Sequence, residues 1–291
     1  MMSFPSDIGV IDLMLAIPGN DNRHFYDWIK PMLMDRESHE LFSMPAQYLF
    51  KELPEAGEQQ DYIAYTIAQM DRHGIDRAML DVGKFSEANT HALRAHPDRF
   101  FGSYEANPNR GMEEVRAIVA MHEEFDIKAV TASPAMICPP VPVNDKKWYP
   151  IYAKLVELDI PFCACMGVPG PRVPLGPQKV ELLDEVLWFF PELRIVTRHG
   201  CEPWTDLACK LMLKYPNLHY MTSAFAPKHY PPEVIDFANK RGSRQLLYAG
   251  YFPMGLSLDR IFSELPNVPF RDHVWPLFLR DNAIRVFKLD S

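Results

Sequence analysis

The chain has 291 residues, 47% of them hydrophobic, and a formal net charge of −8 at pH 7. This length suits one barrel-type domain of about 250 residues with insertions. The acidic balance makes nucleic acid a poor partner, because phosphate binding needs a basic face. The sequence has no run of 18 apolar residues and no signal-peptide pattern at its start, so we expect no membrane span. Five scattered cysteines are typical of reduced thiols and favour a cytoplasmic location.

The first predicted strand covers residues 8–15, a nearly continuous apolar run that contains one acid, Asp12. Residues 16–60 follow without clean periodicity and are rich in proline, methionine and aromatic residues. Because a loop of this length is usually functional, we predict a partly helical cap over the mouth of the fold. Packing of this segment on a neighbouring subunit is an equal alternative.

From residue 61 onward, helix and strand patterns alternate. Helices are predicted up to residue 73 and at 86–96, 112–125, 149–158, 180–190, 204–215, 232–240 and across much of 257–289; strands are predicted at 77–82, 100–104, 127–131, 161–166, 194–197, 218–222 and 245–249. This alternation predicts parallel βαβ units and therefore one α/β domain over residues 1–291, a (β/α)8 TIM-type barrel with residues 16–60 inserted after strand 1. An open doubly wound sheet is the alternative, although no Gly-x-Gly-x-x-Gly follows the first strand.

Residues 194–204 have the pattern of a strand, a tight turn and a helix start. Gly200 permits the turn, and Pro203 suits a first helical position. His199 should therefore lie at the carboxyl end of a parallel strand, where α/β folds bind ligands. The alternative is a histidine that only hydrogen-bonds a loop.

Polar residues gather just past the predicted strands and indicate a site for a small carbonyl or carboxylate compound. The candidate catalytic residues are His199, Tyr251 and Glu202, and the candidate substrate-binding residues are Arg172, Ser223, Lys228, Trp204, Cys165 and Tyr104. Structural roles are the alternatives: an ion pair for Arg172, a helix-dipole contact for Glu202, a packing anchor for Trp204, a buried hydrophobe for Cys165 and a subunit contact for Lys228.

Three segments resemble the amidohydrolase-related family, which includes aminocarboxymuconate-semialdehyde decarboxylase-like and pyrone-dicarboxylate lactonase-like enzymes. They are residues 199–204 (HGCEPW), 220–224 (YMTSA) and 246–254 (LLYAGYFPM). The similarity runs from about residue 8 to residue 287 and is strongest from residue 161 onward. The resemblance implies a (β/α)8 barrel, usually with a catalytic divalent metal.

The metal ligands that this resemblance implies are mostly missing. Met14 and Ala16 stand where the family has the two histidines of an Asp-x-His-x-His motif, Cys165 stands near a family His or Lys, and Tyr251 replaces an aspartate. His199 alone remains, and one histidine with one distant cysteine rarely holds zinc. We therefore predict no metal and no cofactor; the alternative is a metal held by relocated ligands such as His24, His39 or His229.

Two functions remain open without a metal. One is metal-independent hydrolase or carbon–carbon lyase chemistry, in which His199 acts as a general base or, when protonated, polarises a carbonyl, Arg172 grips an anion and Tyr251 donates a proton. It suits hydrolysis of a lactone, β-diketone or β-ketoacyl thioester, retro-Claisen cleavage, hydration or decarboxylation. The other is an inactive barrel that serves binding or assembly. Apolar excursions such as residues 252–270 also predict a homodimer or larger homo-oligomer.

Overall fold

The computed structural model describes residues 4–5, 7–83 and 87–290 and confirms the predicted barrel. Eight parallel strands form one sheet in chain order, each paired with the next. They are β1 (Val10–Asp12), β2 (Ile75–Asp81), β3 (Phe100–Glu105), β4 (Ala129–Ala132), β5 (Phe162–Cys165), β6 (Ile195–Arg198), β7 (Leu218–Met221) and β8 (Leu246–Leu247). Just past β1 and β8, Leu15 and Phe252 form a parallel bridge. The two edges of the sheet therefore meet at this point.

The α-helices alternate with these strands from β2 onward. They are α1 (Arg36–Glu40), α2 (Tyr62–Arg72), α3 (Glu87–Ala95), α4 (Met112–Phe125), α5 (Tyr149–Leu158), α6 (Leu183–Phe189), α7 (Thr205–Lys214), α8 (Pro232–Phe237), α9 (Leu258–Glu264), α10 (Val274–Pro276) and α11 (Asn282–Phe287). Residue 86, the predicted start of the helix that the structure has as α3, lies outside the described residues. Membrane-spanning segments are absent from the described helices, none of which has the length and apolar character that crossing requires.

Two local differences from the sequence expectation have visible causes. Strand β8 ends at Leu247, short of the predicted residue 249, because the backbone N–H of Tyr248 donates to the carbonyl of Phe278 at 2.9 Å. Helix α7 begins at Thr205, so Pro203 precedes the helix and is joined to Glu202 by a cis peptide bond.

The inside of the barrel is built from alternate strand residues, because successive side chains of a strand point to opposite faces. The lower layer is apolar and buried: Ile11, Leu13, Met79, Phe101, Ala129, Cys163, Val196, Met221, Leu247 and Ala249. Two positions further along β3, β4 and β6, the inward residues become polar, namely Ser103, Thr131 and Arg198. The apolar layer therefore closes the barrel below a polar floor.

The segment 16–60 contains α1 and short 3-10 helices, and several of its residues line the cavity described below. Its exact limits as a cap stay a prediction.

The apolar surface that we expected at residues 252–270 is not there. Most of its large hydrophobic side chains are buried within the chain: Phe252, Leu256, Leu258, Ile261, Leu265, Val268 and Phe270. That argument for an oligomer was wrong, because this segment packs on its own barrel. The oligomeric state itself stays a prediction.

Candidate active site

A cavity of about 740 Å³ opens at the carboxyl ends of the strands. Its floor carries the polar strand-end residues, and one wall comes from the aromatic residues Tyr26, Trp28 and Phe50 of the segment 16–60. This volume lies within the range of about 300–1,000 Å³ that is typical of small-molecule sites.

The turn after β6 holds His199 in an unusual backbone conformation. Its φ angle is 60°, and that of Gly200 is 77°. Residues other than glycine rarely adopt this left-handed conformation, which costs on the order of 1–3 kcal/mol and persists mainly at functional sites. Position 200 requires glycine for two reasons: its positive φ angle, and the ring of Phe225, which would lie 2.9 Å from an added Cβ. The turn therefore marks His199 as a functional candidate.

Ser223 holds both the backbone and the ring of His199. Its Oγ accepts the backbone N–H of His199 at 3.0 Å and lies 3.2 Å from ring Nδ1. Since the hydroxyl already accepts one proton, its own proton is available for Nδ1. This favours the tautomer with the ring proton on Nε2, which makes no hydrogen bond within the described part of the chain.

Burial lowers the pKa of His199 to about 3, with a further contribution from the positive charge of Arg198. The imidazole is therefore neutral at pH 7 in the free protein. This differs from the protonated form that we considered from the sequence. A neutral imidazole can still polarise a carbonyl by donating a hydrogen bond.

Tyr251 stands beside this imidazole as a second proton donor. Burial raises the pKa of Tyr251 to about 12, and nearby Cys165 contributes, so the phenol stays protonated at neutral pH. Its ring meets that of His199 edge to face with centroids 5.3 Å apart, and it stacks on Phe50 at 5.7 Å. The aromatic wall and the strand ends together fix the position of the phenol.

Arg198 is a cavity-lining residue to which the sequence pattern assigned no role. Its Nη2 donates to Met14 Sδ at 3.4 Å, its only side-chain hydrogen bond within the described residues, and its Nε is buried without a partner. Glu105 on β3 is 7% exposed, and its Oε1 also has no partner among the described residues. The strand period could have identified Arg198, since it follows the inward-facing Val196 by two positions.

Asp12 joins the first and last strands below these groups. Its Oδ1 accepts the backbone N–H of Met14 at 2.9 Å and that of Gly250 at 2.8 Å. An added Cβ on Gly250 would lie 2.6 Å from Asp12 Oδ2, so glycine is required here. Burial raises the pKa of Asp12 to about 7. The link sets the backbone positions on either side of the cavity floor.

Three further predicted residues line the cavity at different depths. Glu202 is exposed at the mouth, and partial burial raises its pKa. Lys228 lies on the rim with its Nζ 3.7 Å from Glu264 Oε1. Cys165 is buried with its Sγ 3.6 Å from Ser133 Oγ, and burial raises the pKa of the thiol. Cys165 is therefore a neutral thiol rather than an activated nucleophile.

Arg172, Trp204 and Tyr104 are not among the cavity-lining residues. Arg172 is ion-paired with Asp35 at 2.6 Å and Glu37 at 2.8 Å. Trp204 packs against the outer core, and Tyr104 points to the helix side of β3. Their substrate-binding roles stay predictions, although these contacts agree with the structural alternatives.

The fold and the cavity first define a class, a (β/α)8 barrel with a polar site at the carboxyl ends of its strands. Within that class, the sequence profile of the amidohydrolase family matches residues 25–289, and the chain belongs to this family. No curated protein matches the chain by sequence.

Solved structures share the fold over nearly the whole chain. An uncharacterized TIM-barrel protein from Bordetella bronchiseptica is 23% identical, with a TM-score of 0.76, and the match covers 96% of this chain and 98% of that one. A 5-carboxyvanillate decarboxylase from Novosphingobium aromaticivorans with bound manganese is 18% identical, with a TM-score of 0.67 and coverage of 97% and 98%. A 4-oxalomesaconate hydratase from Rhodopseudomonas palustris is 16% identical, with a TM-score of 0.61 and coverage of 96% and 95%.

The residues at the family's ligand positions do not fit a divalent metal. Met14, Ala16, Cys165, His199 and Tyr251 all line the cavity. However, the Ala16 methyl group offers no donor atom for a metal. The Met14 thioether and the Cys165 thiol are soft ligands, and the Tyr251 phenol keeps its proton. The guanidinium of Arg198 adds a fixed positive charge. Two unit charges 4 Å apart repel by about 4 kcal/mol at an effective dielectric constant of 20, and a divalent ion doubles this repulsion.

Relocated ligands form no metal site within the described residues, where no group of three or more His, Cys, Asp or Glu side chains is suitably placed. His39 Nε2 lies 2.7 Å from the carbonyl oxygen of Leu33, and His229 borders the cavity. The side chain of His24 lies outside the described part of the chain.

Proposed function

We propose that this amidohydrolase-family chain is a hydrolase or carbon–carbon lyase that acts on a small carbonyl or carboxylate substrate without a metal or cofactor. The observation that carries the proposal is the pairing of His199 and Tyr251, two neutral proton donors that line one cavity with ring centroids 5.3 Å apart. Family membership supports hydrolase or lyase chemistry.

Both donors suit a substrate in which a carbonyl oxygen gains negative charge. When water attacks an ester carbon, or when a carbon–carbon bond next to a carbonyl breaks, an electron pair moves onto that oxygen. The Nε2–H of His199 and the hydroxyl of Tyr251 would stabilise the oxyanion, and one such donor is worth about 10²–10³ in rate. In hydrolysis, Glu202 at the mouth would accept the proton that the attacking water loses.

An inactive barrel that only binds or assembles is the alternative. The strained backbone at His199 and the unpaired polar atoms on the cavity floor favour catalysis, because a purely structural cavity gains nothing from them. We also expect the enzyme to act in the cytoplasm as a homodimer or larger homo-oligomer.

A substrate screen with two readouts tests the proposal. Small lactones, β-diketones, thioesters and carboxylates are assayed for proton release and for carbon dioxide release. On the substrate found, His199→Ala and Tyr251→Phe should each lower kcat by about 10²-fold, with unchanged circular dichroism. His122→Ala and Tyr62→Phe, which alter residues away from the cavity, are the matched controls. Full activity of His199→Ala would contradict the proposal.

A further inference from the structure

We propose that the guanidinium of Arg198 stands in the place of the family's metal ion and binds the carboxylate of the substrate. This inference rests on the proposed function, because it assumes that the cavity is the substrate site. It assigns substrate binding to a residue other than Arg172, for which the sequence suggested that role.

The surroundings of Arg198 are the positions where the family resemblance implies metal ligands. The side chain crosses the barrel from β6 to reach Met14 on the segment after β1, where Nη2 lies 3.4 Å from Sδ. The carboxylate of Glu105 on β3 acts on the charge of Arg198, and Cys165 and Tyr251 lie near enough to influence its pKa. His199 is the next residue along the chain. One cation therefore lies among side chains from β3, β5 and the segments that follow β1, β6 and β8.

This cation has more hydrogen-bond donors than the described residues satisfy. A guanidinium carries five N–H donors, and Arg198 uses one of them on a weak thioether acceptor while its Nε is buried without a partner. Glu105 offsets part of this charge, but a buried charged group also needs its remaining hydrogen-bond donors satisfied. Since an arginine fork matches a carboxylate in shape and charge, a bound carboxylate would supply the missing acceptors.

The neighbouring groups favour one small planar anion over a larger charged ligand. Aromatic rings of Tyr26, Phe50 and Tyr251 wall the cavity above the floor. Glu105 already supplies one negative charge beside Arg198, so a ligand with a single negative charge is favoured over one with two. A carboxylate on a flat apolar body therefore fits best, and benzoate is the simplest probe with that chemistry.

Calorimetric titration of the full chain, dialysed against a chelator, tests the inference. Benzoate should bind the wild-type protein saturably, and neutral benzamide, which has nearly the same shape, should bind at least tenfold more weakly. Arg198→Met should weaken benzoate binding by about 10- to 100-fold, the range expected for a charge-assisted hydrogen bond. Arg198→Lys, which keeps the charge but loses the fork, should fall between. Arg94→Met, which changes an exposed arginine that pairs with Glu124 away from the cavity, is the matched control and should bind benzoate like the wild type.

Removal of the buried cation leaves Glu105 without its counter-charge, so the double variant Arg198→Met with Glu105→Gln is included to preserve folding. The inference is overturned if wild type does not bind benzoate, if benzamide binds equally well, or if folded Arg198 variants bind benzoate normally. It is also overturned if every Arg198 variant, including the double variant, unfolds, since the residue is then structural. Benzoate is a probe of binding alone, so these results are independent of whether His199→Ala retains turnover.

Discussion

Ser223 Oγ lies within hydrogen-bonding distance of two atoms of His199, the backbone nitrogen at 3.0 Å and ring Nδ1 at 3.2 Å. The contact joins the loops after β6 and β7 and holds the imidazole in its left-handed turn. It also leaves Nε2 as the ring nitrogen available to a ligand. The role that we propose for His199 therefore depends on a residue that does not itself line the cavity.

Ser223→Ala should lower kcat by about tenfold with little change in KM, because the imidazole loses its fixed orientation and tautomer while the rest of the cavity is intact. Steady-state kinetics on the identified substrate measures this. Ser263→Ala, on the surface helix α9, is the control and should behave as the wild type. An unchanged kcat in Ser223→Ala would mean that the contact serves only to stabilise the turn.

The elevated pKa of Asp12 predicts a stability that falls as pH rises. Its pKa is about 7 in the folded protein, against a reference value of 3.8. Between these values the native carboxyl holds a proton that the unfolded one has lost, so the free energy of unfolding decreases from about pH 4 to pH 7. The full difference is up to about 4 kcal/mol. Asp12→Asn should remove this dependence and should therefore gain stability relative to wild type at pH 8 but not at pH 4.

Urea denaturation of both proteins at the two pH values measures the effect. Asp184→Asn is a control of opposite sign, because hydrogen bonds from Lys214 and Tyr215 lower the pKa of that carboxyl. Because that stabilisation is lost only as the pH falls below about 4, Asp184→Asn should reduce stability more at pH 8 than at about pH 2, although by less than the Asp12 effect because the site is partly solvated. Equal stability differences for Asp12→Asn at both pH values would show that Asp12 is ionised in the native state.

The barrel was predictable because eight strands and their helices repeat one local pattern that a single sequence carries. Strand limits were less accurate where tertiary contacts decide them, as at β8, whose pairing ends where Tyr248 bonds to Phe278. The burial of residues 252–270 was missed for a related reason. The sequence of an aromatic- and proline-rich loop has the same pattern whether the loop packs on its own barrel or on another subunit.

The site was only partly predictable. The strand–turn–helix pattern of residues 194–204 placed His199 at the end of a strand and Gly200 in the turn that follows. Arg172 was predicted to grip an anion, and Arg198 was given no role. The ion pairs of Arg172 with Asp35 and Glu37 join distant segments, and no sequence spacing reveals them. The pKa of His199 was also hidden, because it depends on burial and on a neighbouring charge.

An apolar patch on α6 and α7 now supports the predicted homo-oligomer. Trp188 is 73% exposed, Phe189 55% and Leu213 48%, and the two helices are joined by an ion pair between Lys214 and Asp184. Such patches often mark protein interfaces. Trp188→Glu should therefore convert the oligomer to a 33.5 kDa monomer in analytical sedimentation. Met112→Glu, at a residue 54% exposed on α4, should leave the oligomer intact. A wild-type protein that sediments as a monomer would refute the prediction.

The central claim is that side chains at the cavity, and not a divalent ion, perform the chemistry. The most direct measurement is kcat/KM on the identified substrate after exhaustive dialysis against a chelator, with metal content determined on the same sample. We predict an unchanged kcat/KM with far less than one zinc or manganese ion per chain, and no increase when either metal is added. Loss of activity on dialysis that zinc or manganese restores, with about one ion bound per chain, would contradict the claim.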